Sequence, residues 1–194
     1  MASSSSDPAT TPTEFISLFA VPKGALAQQL TDEISHLAHR EAAPPFPPHV
    51  TVAGAAKSRA EALQLAEQLA GRVKPYRINF TGVSAGTTFY QCVYLLVAQE
   101  EGTMAAAAAA REVFGLTGAP PYMPHLSLLY SDMDQGERQR VVEYETSRLY
   151  GDSPATRLLE SGFDVGSLQV WSTPLDDSSL KSWRLVGEVR LVGQ

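Results

Sequence analysis

The sequence predicts an α+β fold made of two pseudo-symmetric lobes, each with an antiparallel sheet and flanking helices, and a cleft between the lobes. The first observation is a repeat: residues 120–128 (PPYMPHLSL) match residues 44–52 (PPFPPHVTV) at a constant shift of 76 positions. The second is that helical and strand patterns alternate around both copies, so that each copy follows one helix and precedes the next. Two halves of similar sequence predict two lobes of similar structure, with the two copies of the repeat facing each other across the cleft.

The first four elements are predicted from apolar spacing and capping residues. Residues 15–21 form an apolar run that proline ends, which is typical of a strand. Apolar residues recur at helical spacing over 26–37, and residues 49–54 read as the second strand. Residues 58–72 begin with a Ser-x-x-Glu capping box and predict the second helix.

The remaining elements repeat this alternation and then add strands. The alanine run at 105–110 favours a helix with Gly115 as its C-cap, and Asp134 opens the last helix with another capping box. The predicted strands of this part are 76–83, 89–98, 125–130, 156–159, 163–171 and 183–192.

Composition argues against several functional classes. The 194 residues carry a net charge of −6 and no long basic run, which argues against binding of duplex nucleic acid. The single cysteine, Cys92, excludes an intrachain disulfide and a cysteine-rich zinc site, and it favours a reducing, cytoplasmic location. No apolar run is long enough to span a bilayer, so no membrane association is expected. We expect a monomer.

The N-terminus differs in composition from the rest of the chain. Residues 1–13 are rich in Ser, Thr and Pro and contain no apolar stretch, so they are predicted to be a disordered tail. They also lack the cationic start and apolar core of a secretory signal. Residues 14–194 are predicted to be a single bilobal domain.

Each copy of the repeat carries one imidazole and one hydroxyl at positions i and i+2. On a strand these positions share a face, so His49 and Thr51 are expected on one side of their strand, and His125 and Ser127 on one side of theirs. The apolar residues between them then anchor the strands in the core. A single strand histidine is usually a satisfied core residue, but a matched pair inside a repeat favours a functional site.

Two imidazoles and two hydroxyls provide the groups that phosphodiester hydrolysis requires. Histidine titrates near neutral pH, so one imidazole can accept the proton of an attacking water while the other protonates the departing oxygen. The hydroxyls can donate to the non-bridging phosphate oxygens, where negative charge is held in the transition state. The symmetry of the repeat leaves the acid and base roles of His49 and His125 open.

At these residues the chain resembles the two-histidine phosphoesterase superfamily, which is defined by two His-x-Thr/Ser motifs, and within it the plant-type cyclic phosphodiesterases. The similarity covers about residue 15 to the end, and the stretches that carry it are PPHVTVAG from residue 47, YQCVYLL from 90, YMPHLSLLY from 122 and LKSW from 180. The resemblance implies a bilobal α+β fold with a water-filled cleft between two antiparallel sheets.

The resemblance also implies an activity and the residues for it. The expected reaction is hydrolysis of ADP-ribose 1″,2″-cyclic phosphate, a by-product of tRNA splicing, to ADP-ribose 1″-phosphate. Nucleoside 2′,3′-cyclic phosphates would be opened to 2′-phosphates, and no metal or cofactor is expected. The implied residues are His49 and His125 for catalysis, Thr51, Ser127 and Tyr130 at the phosphate, and Phe19 and Tyr90 beside the base or ribose.

Strand periodicity and one aromatic position qualify these assignments. Tyr130 lies five positions after His125, so it can reach the phosphate only if the strand ends or bulges near Leu129. Phe19 stands where a tryptophan is expected from the family pattern.

Two other functions remain open at the level of sequence. One is an RNA end-processing phosphoesterase of the same superfamily, against which the acidic net charge counts. The other is a non-catalytic protein that binds nucleotides or RNA. A metal site at His36 and His39 is disfavoured because both lie opposite the apolar stripe of their helix, and Trp171 and Trp183 are expected in the core rather than against adenine.

Overall fold

The computed structural model describes residues 13–193. Its strands are β1 (Glu14–Ala20), β2 (Val50–Lys57), β3 (Tyr76–Ala85), β4 (Val93–Val97), β5 (His125–Leu129), β6 (Gly162–Val165), β7 (Ser167–Ser172) and β8 (Arg184–Arg190). Its helices are α1 (Gly24–Arg40), α2 (Arg59–Ala70), α3 (Glu101–Val113) and α4 (Gln135–Tyr150), and Phe89–Gln91 forms one short 3₁₀ turn.

The eight strands form one antiparallel sheet in the order β6-β3-β4-β5-β2-β1-β7-β8. Its two four-stranded halves meet where β2 and β5 lie side by side, and they are joined there by a single residue pair, Val50 and Leu126. The strands that carry the two copies of the repeat are therefore the innermost strands of the two halves. This arrangement confirms the predicted α+β class with two similar lobes, although the two sheets are continuous at their junction.

The helices cover the apolar side of the sheet and bury the residues between the motif positions. Val50, Val52, Leu126 and Leu128 are all at most 3% exposed and belong to the main core. α1 packs against β5 and α3 against β2, so each of these helices supports a strand of the other half. The alternation of strand side chains then directs the histidines and hydroxyls to the opposite face.

The local signals in the sequence begin and end the helices as expected. Ser58 accepts a hydrogen bond from the Glu61 amide at the start of α2, and Asp134 and Glu137 form a full capping box at the start of α4. α3 ends in a Schellman motif: Gly115 has a φ of +68° and the Leu116 amide donates to the Arg111 carbonyl at 2.8 Å. This motif fixes the direction in which the chain leaves α3.

A charged cluster joins α1 to α4. Arg148 of α4 donates two hydrogen bonds, both of 2.9 Å, to the buried carboxylate of Glu33 on α1. Glu145, one turn before Arg148, is fully buried beside this pair. Burial and the nearby charge of Glu33 raise the pKa of Glu145 to about 8, so its carboxyl group holds a proton at neutral pH.

Three of the predicted strands are corrected by the structure. Residues 89–91 form the 3₁₀ turn, and strand β4 begins only at Val93. The predicted strand 163–171 is broken at Gly166 into β6 and β7, which lie in opposite halves of the sheet. Residues 156–159 form turns, because the side-chain amide of Gln29 bonds to the Arg157 carbonyl and the Leu159 amide and takes the place of a strand partner.

The alternation of Trp183, Leu185, Val189 and Leu191 predicts one apolar face for the last strand, and this prediction is only partly correct. Val189 and Leu191 are buried, but Leu185 is 52% exposed. The register of β7 and β8 shifts between Val170 and Trp171, so the strand contains a bulge that turns the side chains before it to the other face.

The predicted tail lies largely outside the described residues, which begin at residue 13. Within residues 13–193, no helix combines the length and the apolar character that crossing a membrane requires.

Candidate active site

A cavity of about 240 Å³ lies at the junction of the two halves. All seven residues that the sequence analysis assigned to the site line it: His49, His125, Thr51, Ser127, Tyr130, Phe19 and Tyr90. Sequence reasoning missed the other lining residues, which are Phe15, Ser17, Gln91, Thr173, Leu175 and, as a cavity residue, Trp183. No lysine or arginine lines this cavity within residues 13–193, so its polar groups are imidazoles, hydroxyls and an amide.

The junction has a local two-fold arrangement that follows from the repeat. Val50 and Leu126, the pair that joins β2 to β5, are equivalent positions of the two copies. In an antiparallel register, this pairing places His49 toward Ser127 and His125 toward Thr51.

Both imidazoles are held by the same backbone contact. Nδ1 of His49 lies 2.6 Å from the Pro47 carbonyl oxygen, and Nδ1 of His125 lies 2.9 Å from the Met123 carbonyl oxygen. A carbonyl oxygen can only accept, so Nδ1 carries the hydrogen in both residues. The neutral form of each ring therefore presents the lone pair of Nε2 as its proton acceptor, and the protonated form presents Nε2–H as its donor.

Each imidazole also rests against an aromatic ring of the neighbouring strand. Phe19 of β1 stacks on His49 with ring centroids 3.7 Å apart, and Tyr94 of β4 lies 4.9 Å from His125. Phe19 is only 2% exposed, and its ring also lies 5.9 Å from the rings of Trp171 and Trp183. A place for Phe19 beside a substrate base stays a prediction.

Tyr130 reaches the cavity because β5 ends at Leu129, one residue before it. Its ring stacks on Phe46 at a centroid distance of 3.9 Å, and its hydroxyl donates to Nε2 of His49 at 3.4 Å. The condition set by strand periodicity, an early end of the strand, is therefore met. Burial raises the pKa of Tyr130 well above its usual value, so the hydroxyl keeps its proton and can act as a donor.

Burial changes the titration of both histidines. It lowers the pKa of His49 to about 4, against a smaller opposing effect of the Pro47 carbonyl, and the charge of His125 lowers this pKa further. Burial also lowers the pKa of His125, and the Met123 carbonyl opposes this effect. The interaction between the two rings disfavours the doubly protonated state, so the pair prefers to hold at most one proton.

Two further hydroxyls lie in the wall of the cavity. The side chains of Ser17 and Thr173 are hydrogen bonded to each other at 2.7 Å and are both buried. The Ser127 hydroxyl donates to the Tyr90 carbonyl at 3.3 Å. The indole nitrogen of Trp183 is buried without a hydrogen-bond partner in the described chain. A lone serine or threonine on a strand carries no pattern, so the sequence contained no signal for the pair at Ser17 and Thr173.

The other two histidines and the single cysteine are not among the residues that line this cavity. His36 and His39 are exposed on α1, and His36 bonds to the Tyr144 hydroxyl at 2.8 Å. Cys92 is fully buried. In the part of the chain that the structure describes, no three His, Cys, Asp or Glu side chains are grouped so that they could hold a metal ion.

Comparisons with known proteins agree on one family. The model of the 2′-5′ RNA ligase superfamily matches residues 22–177. A cyclic phosphodiesterase of Arabidopsis thaliana is 34% identical over 149 residues, which cover 76% of this chain and 79% of that protein.

Solved structures show the same fold at low sequence identity. The protein TT0787 of Thermus thermophilus superposes with a TM-score of 0.64 at 15% identity and covers 93% of this chain and 99% of its own. LigT of E. coli gives a TM-score of 0.60 at 14% identity over 93% of this chain and 98% of its own. LigT has also been solved with 3′-AMP, ATP and NADP⁺.

Proposed function

The chain belongs to the 2′-5′ RNA ligase superfamily of two-histidine phosphoesterases and is a cyclic phosphodiesterase, and we propose that its main substrate is ADP-ribose 1″,2″-cyclic phosphate. The observation that carries the proposal is the presence of two imidazoles in one cavity, each with Nδ1 hydrogen bonded to a backbone carbonyl, so that Nε2 is the atom that can exchange a proton. The product would be ADP-ribose 1″-phosphate.

The proposed reaction moves one proton to each side of the phosphorus atom. A water molecule attacks the phosphorus and gives a proton to Nε2 of the neutral imidazole, while the bond from phosphorus to the departing ribose oxygen breaks. That oxygen takes the proton from Nε2 of the other, protonated imidazole. A pair that holds one proton between its two members is the state that this step requires.

The negative charge of the substrate favours uptake from solvent of the proton that the free site lacks. Because burial disfavours the charged form of both rings, the empty site prefers the neutral state at pH 7. A bound phosphodiester anion favours the protonated form of the imidazole beside it and raises the pKa of that ring. The site then becomes active only when an anionic substrate fills it.

Neutral donors are proposed to hold the phosphate oxygens during the attack. Thr51, Ser127 and Tyr130 line the cavity, and each carries a hydroxyl group. Hydroxyl groups directed at developing charge in a site shielded from water stabilise the transition state more than they would in solution. The strain of a five-membered cyclic phosphate adds to the driving force, so we expect activity without a metal ion.

Nucleoside 2′,3′-cyclic phosphates are proposed as secondary substrates that are opened to 2′-phosphates. They present the same strained ring to the same two imidazoles. The fold itself can accommodate adenine nucleotides, as the complexes of E. coli LigT with 3′-AMP and ATP illustrate for that protein.

The test is ring opening followed by phosphorus NMR, with the purified protein in chelator and ADP-ribose 1″,2″-cyclic phosphate as substrate. We expect turnover by the wild type and losses on the order of 10²–10⁴ in rate for His49→Ala and for His125→Ala. His36→Ala is the matched control, since this exposed imidazole lies outside the cavity. A loss under about tenfold for either cavity histidine would contradict the acid–base assignment.

A further inference from the structure

A second cavity of about 260 Å³ adjoins the catalytic cavity. Thr51, Gln91 and His125 line both cavities, so the two spaces are neighbours that share these three residues as a common wall. The outer wall of the second cavity is the loop that follows α3, with residues 119–123, and its floor is β2. We call this space the side pocket.

Arg111 gives the side pocket a charge that the catalytic cavity lacks. It is the only lysine or arginine that lines either of these two cavities within residues 13–193. It is half-buried, and no carboxylate of the described chain lies within ion-pair distance of it. A cation that is partly desolvated and lacks an anionic partner favours a bound anion.

The position of Arg111 is fixed by the structure around it. It lies in the last turn of α3, and its carbonyl accepts the hydrogen bond of the Schellman motif that ends the helix. Its guanidinium donates to the Pro120 carbonyl on the outer wall. This contact uses one of the five N–H groups of the guanidinium, and the others remain available to a ligand.

We propose that the side pocket is a subsite for a second anionic group of the substrate, a 5′-linked pyrophosphate, and that Arg111 binds it. The inference rests on the proposed ring-opening activity and adds to it the part of the substrate beyond the ring. In ADP-ribose 1″,2″-cyclic phosphate, the ribose that carries the strained ring also carries a pyrophosphate on its 5″ oxygen. A substrate whose ring lies between the two histidines can extend this arm past Thr51 and His125 into the side pocket.

Space for the remaining nucleoside continues beyond Arg111. A third cavity, of about 430 Å³, shares Arg111, Pro121, Tyr122 and Met123 with the side pocket. Its other lining residues are mostly alanine and methionine of α3, which suit a flat apolar ring. Arg111 lines the second and the third cavity but not the catalytic one. We assign the three cavities, in this order, to the cyclic phosphate ring, the pyrophosphate and the nucleoside.

The test compares two cyclic phosphates that differ only at the 5′ oxygen. The probes are adenosine 2′,3′-cyclic phosphate and the same compound with a 5′-diphosphate. The wild-type enzyme is expected to open the diphosphate with the higher kcat/KM. Arg111→Ala is expected to lower kcat/KM about ten- to a hundredfold for the diphosphate, as for the loss of hydrogen bonds to a charged group, and to leave the unsubstituted probe within about twofold.

Control variants separate binding from folding and from net charge. Arg111→Lys keeps the positive charge but lacks the planar guanidinium. Its kcat/KM for the diphosphate probe should therefore lie between those of the wild type and Arg111→Ala. Arg140→Gln removes one positive charge from an exposed site on α4 and should change neither probe. The melting temperature of each variant shows whether loss of the contact with Pro120 has disturbed the fold.

The outcomes distinguish this inference from the proposed function. If the wild type opens the unsubstituted ring but shows no preference for the diphosphate, or if Arg111→Ala impairs both probes equally, the subsite is wrong while the activity stands. If the wild type opens neither ring, the proposed function itself fails. A loss confined to an oligonucleotide that ends in a 2′,3′-cyclic phosphate would also overturn the subsite, because it would assign Arg111 to an RNA strand.

Discussion

At the scale of single residues, the two histidines make the same hydrogen bond at Nδ1 but have different surroundings. Each donates from Nδ1 to the carbonyl two positions before it. His49 is only 3% exposed and is covered by Phe19, Tyr130 and Trp183, whereas His125 is half-buried. Burial raises the free energy of the imidazolium ion. The two rings therefore differ in how readily they are protonated, although they occupy the same position in the two motifs.

The first prediction concerns pH. The free enzyme needs one neutral and one protonated imidazole, so kcat/KM should be highest between a pKa of about 4 for His49 and the lowered pKa of His125. It should therefore decline before neutral pH is reached. Because the bound anion raises the pKa of the imidazole, the optimum of kcat should lie at higher pH than that of kcat/KM. The two profiles can be measured with adenosine 2′,3′-cyclic phosphate, and coincident optima would contradict the argument.

The second prediction assigns the two roles by experiment. A substrate with sulfur in place of the departing ribose oxygen needs no protonation of its leaving group. Of His49→Ala and His125→Ala, one variant should recover most of its rate on this substrate, and the residue replaced in it is the acid. The other variant should stay slow, because water must still lose a proton. Recovery in both variants or in neither would argue against a paired acid and base.

At the scale of elements, strand ends and helix ends decide what reaches the cavity. The end of β5 at Leu129 turns Tyr130 toward His49, and the Schellman motif after α3 places the loop that closes the side pocket. The aromatic residues of the two repeats, Phe46 and Tyr122, both reach across the junction. Phe46 stacks on Tyr130, and the Tyr122 hydroxyl bonds to the Thr51 carbonyl at 2.9 Å.

The third prediction isolates the hydroxyl of Tyr130. Tyr130→Phe keeps the ring stacked on Phe46 and removes only the group that lies 3.4 Å from His49. We expect kcat/KM for cyclic phosphate to fall about tenfold, as for the loss of one hydrogen bond of about 1.4 kcal/mol. Tyr144→Phe, which removes a hydroxyl outside the cavity, is the control. An unchanged rate in Tyr130→Phe would exclude its hydroxyl from the phosphate site.

At the scale of the whole molecule, the repeat predicted more than any single motif did. A constant shift of 76 positions was enough to predict two similar lobes and a site where they meet. The apolar alternation shifts by one residue at Gly166, from Phe163 and Val165 to Leu168 and Val170, and this local signal of the break was missed. The partners of β6 and β7 in opposite halves of the sheet reveal it. The pair at Ser17 and Thr173 was missed because it joins residues that are far apart in sequence and carry no common pattern.

The fourth prediction concerns stability. The pKa of Glu145 is raised by burial, and next by the charge of Glu33, to about 8 in the fold, while in the unfolded chain this group ionises near its ordinary value of 4.5. The folded state then binds the extra proton between these values, so stability falls as pH rises toward 8 and levels off above it. Between about pH 5.5 and 7 the decline should approach about 1.4 kcal/mol per pH unit, and it should weaken as the pH nears the folded pKa of about 8.

Urea unfolding of Glu145→Gln checks this prediction, since glutamine mimics the protonated side chain. The variant should lose less stability than the wild type between about pH 5.5 and 7, and Glu143→Gln, an exposed position on the same helix, should follow the wild type. Parallel curves for wild type and Glu145→Gln would show that the buried carboxyl is ionised in the fold.

The single pair between Val50 and Leu126 has a consequence for the outcome of the reaction. A catalytic centre with near two-fold symmetry offers water two opposite directions of attack, so the histidines and hydroxyls alone do not decide which of the two ring oxygens is released. That choice, and with it the isomer of the product, depends on the features that break the symmetry: Trp183 at the catalytic cavity, and Arg111 at the pocket beside it. Substitutions at these two residues, with both His-x-Thr/Ser motifs left intact, are therefore expected to change which phosphate isomer the enzyme releases.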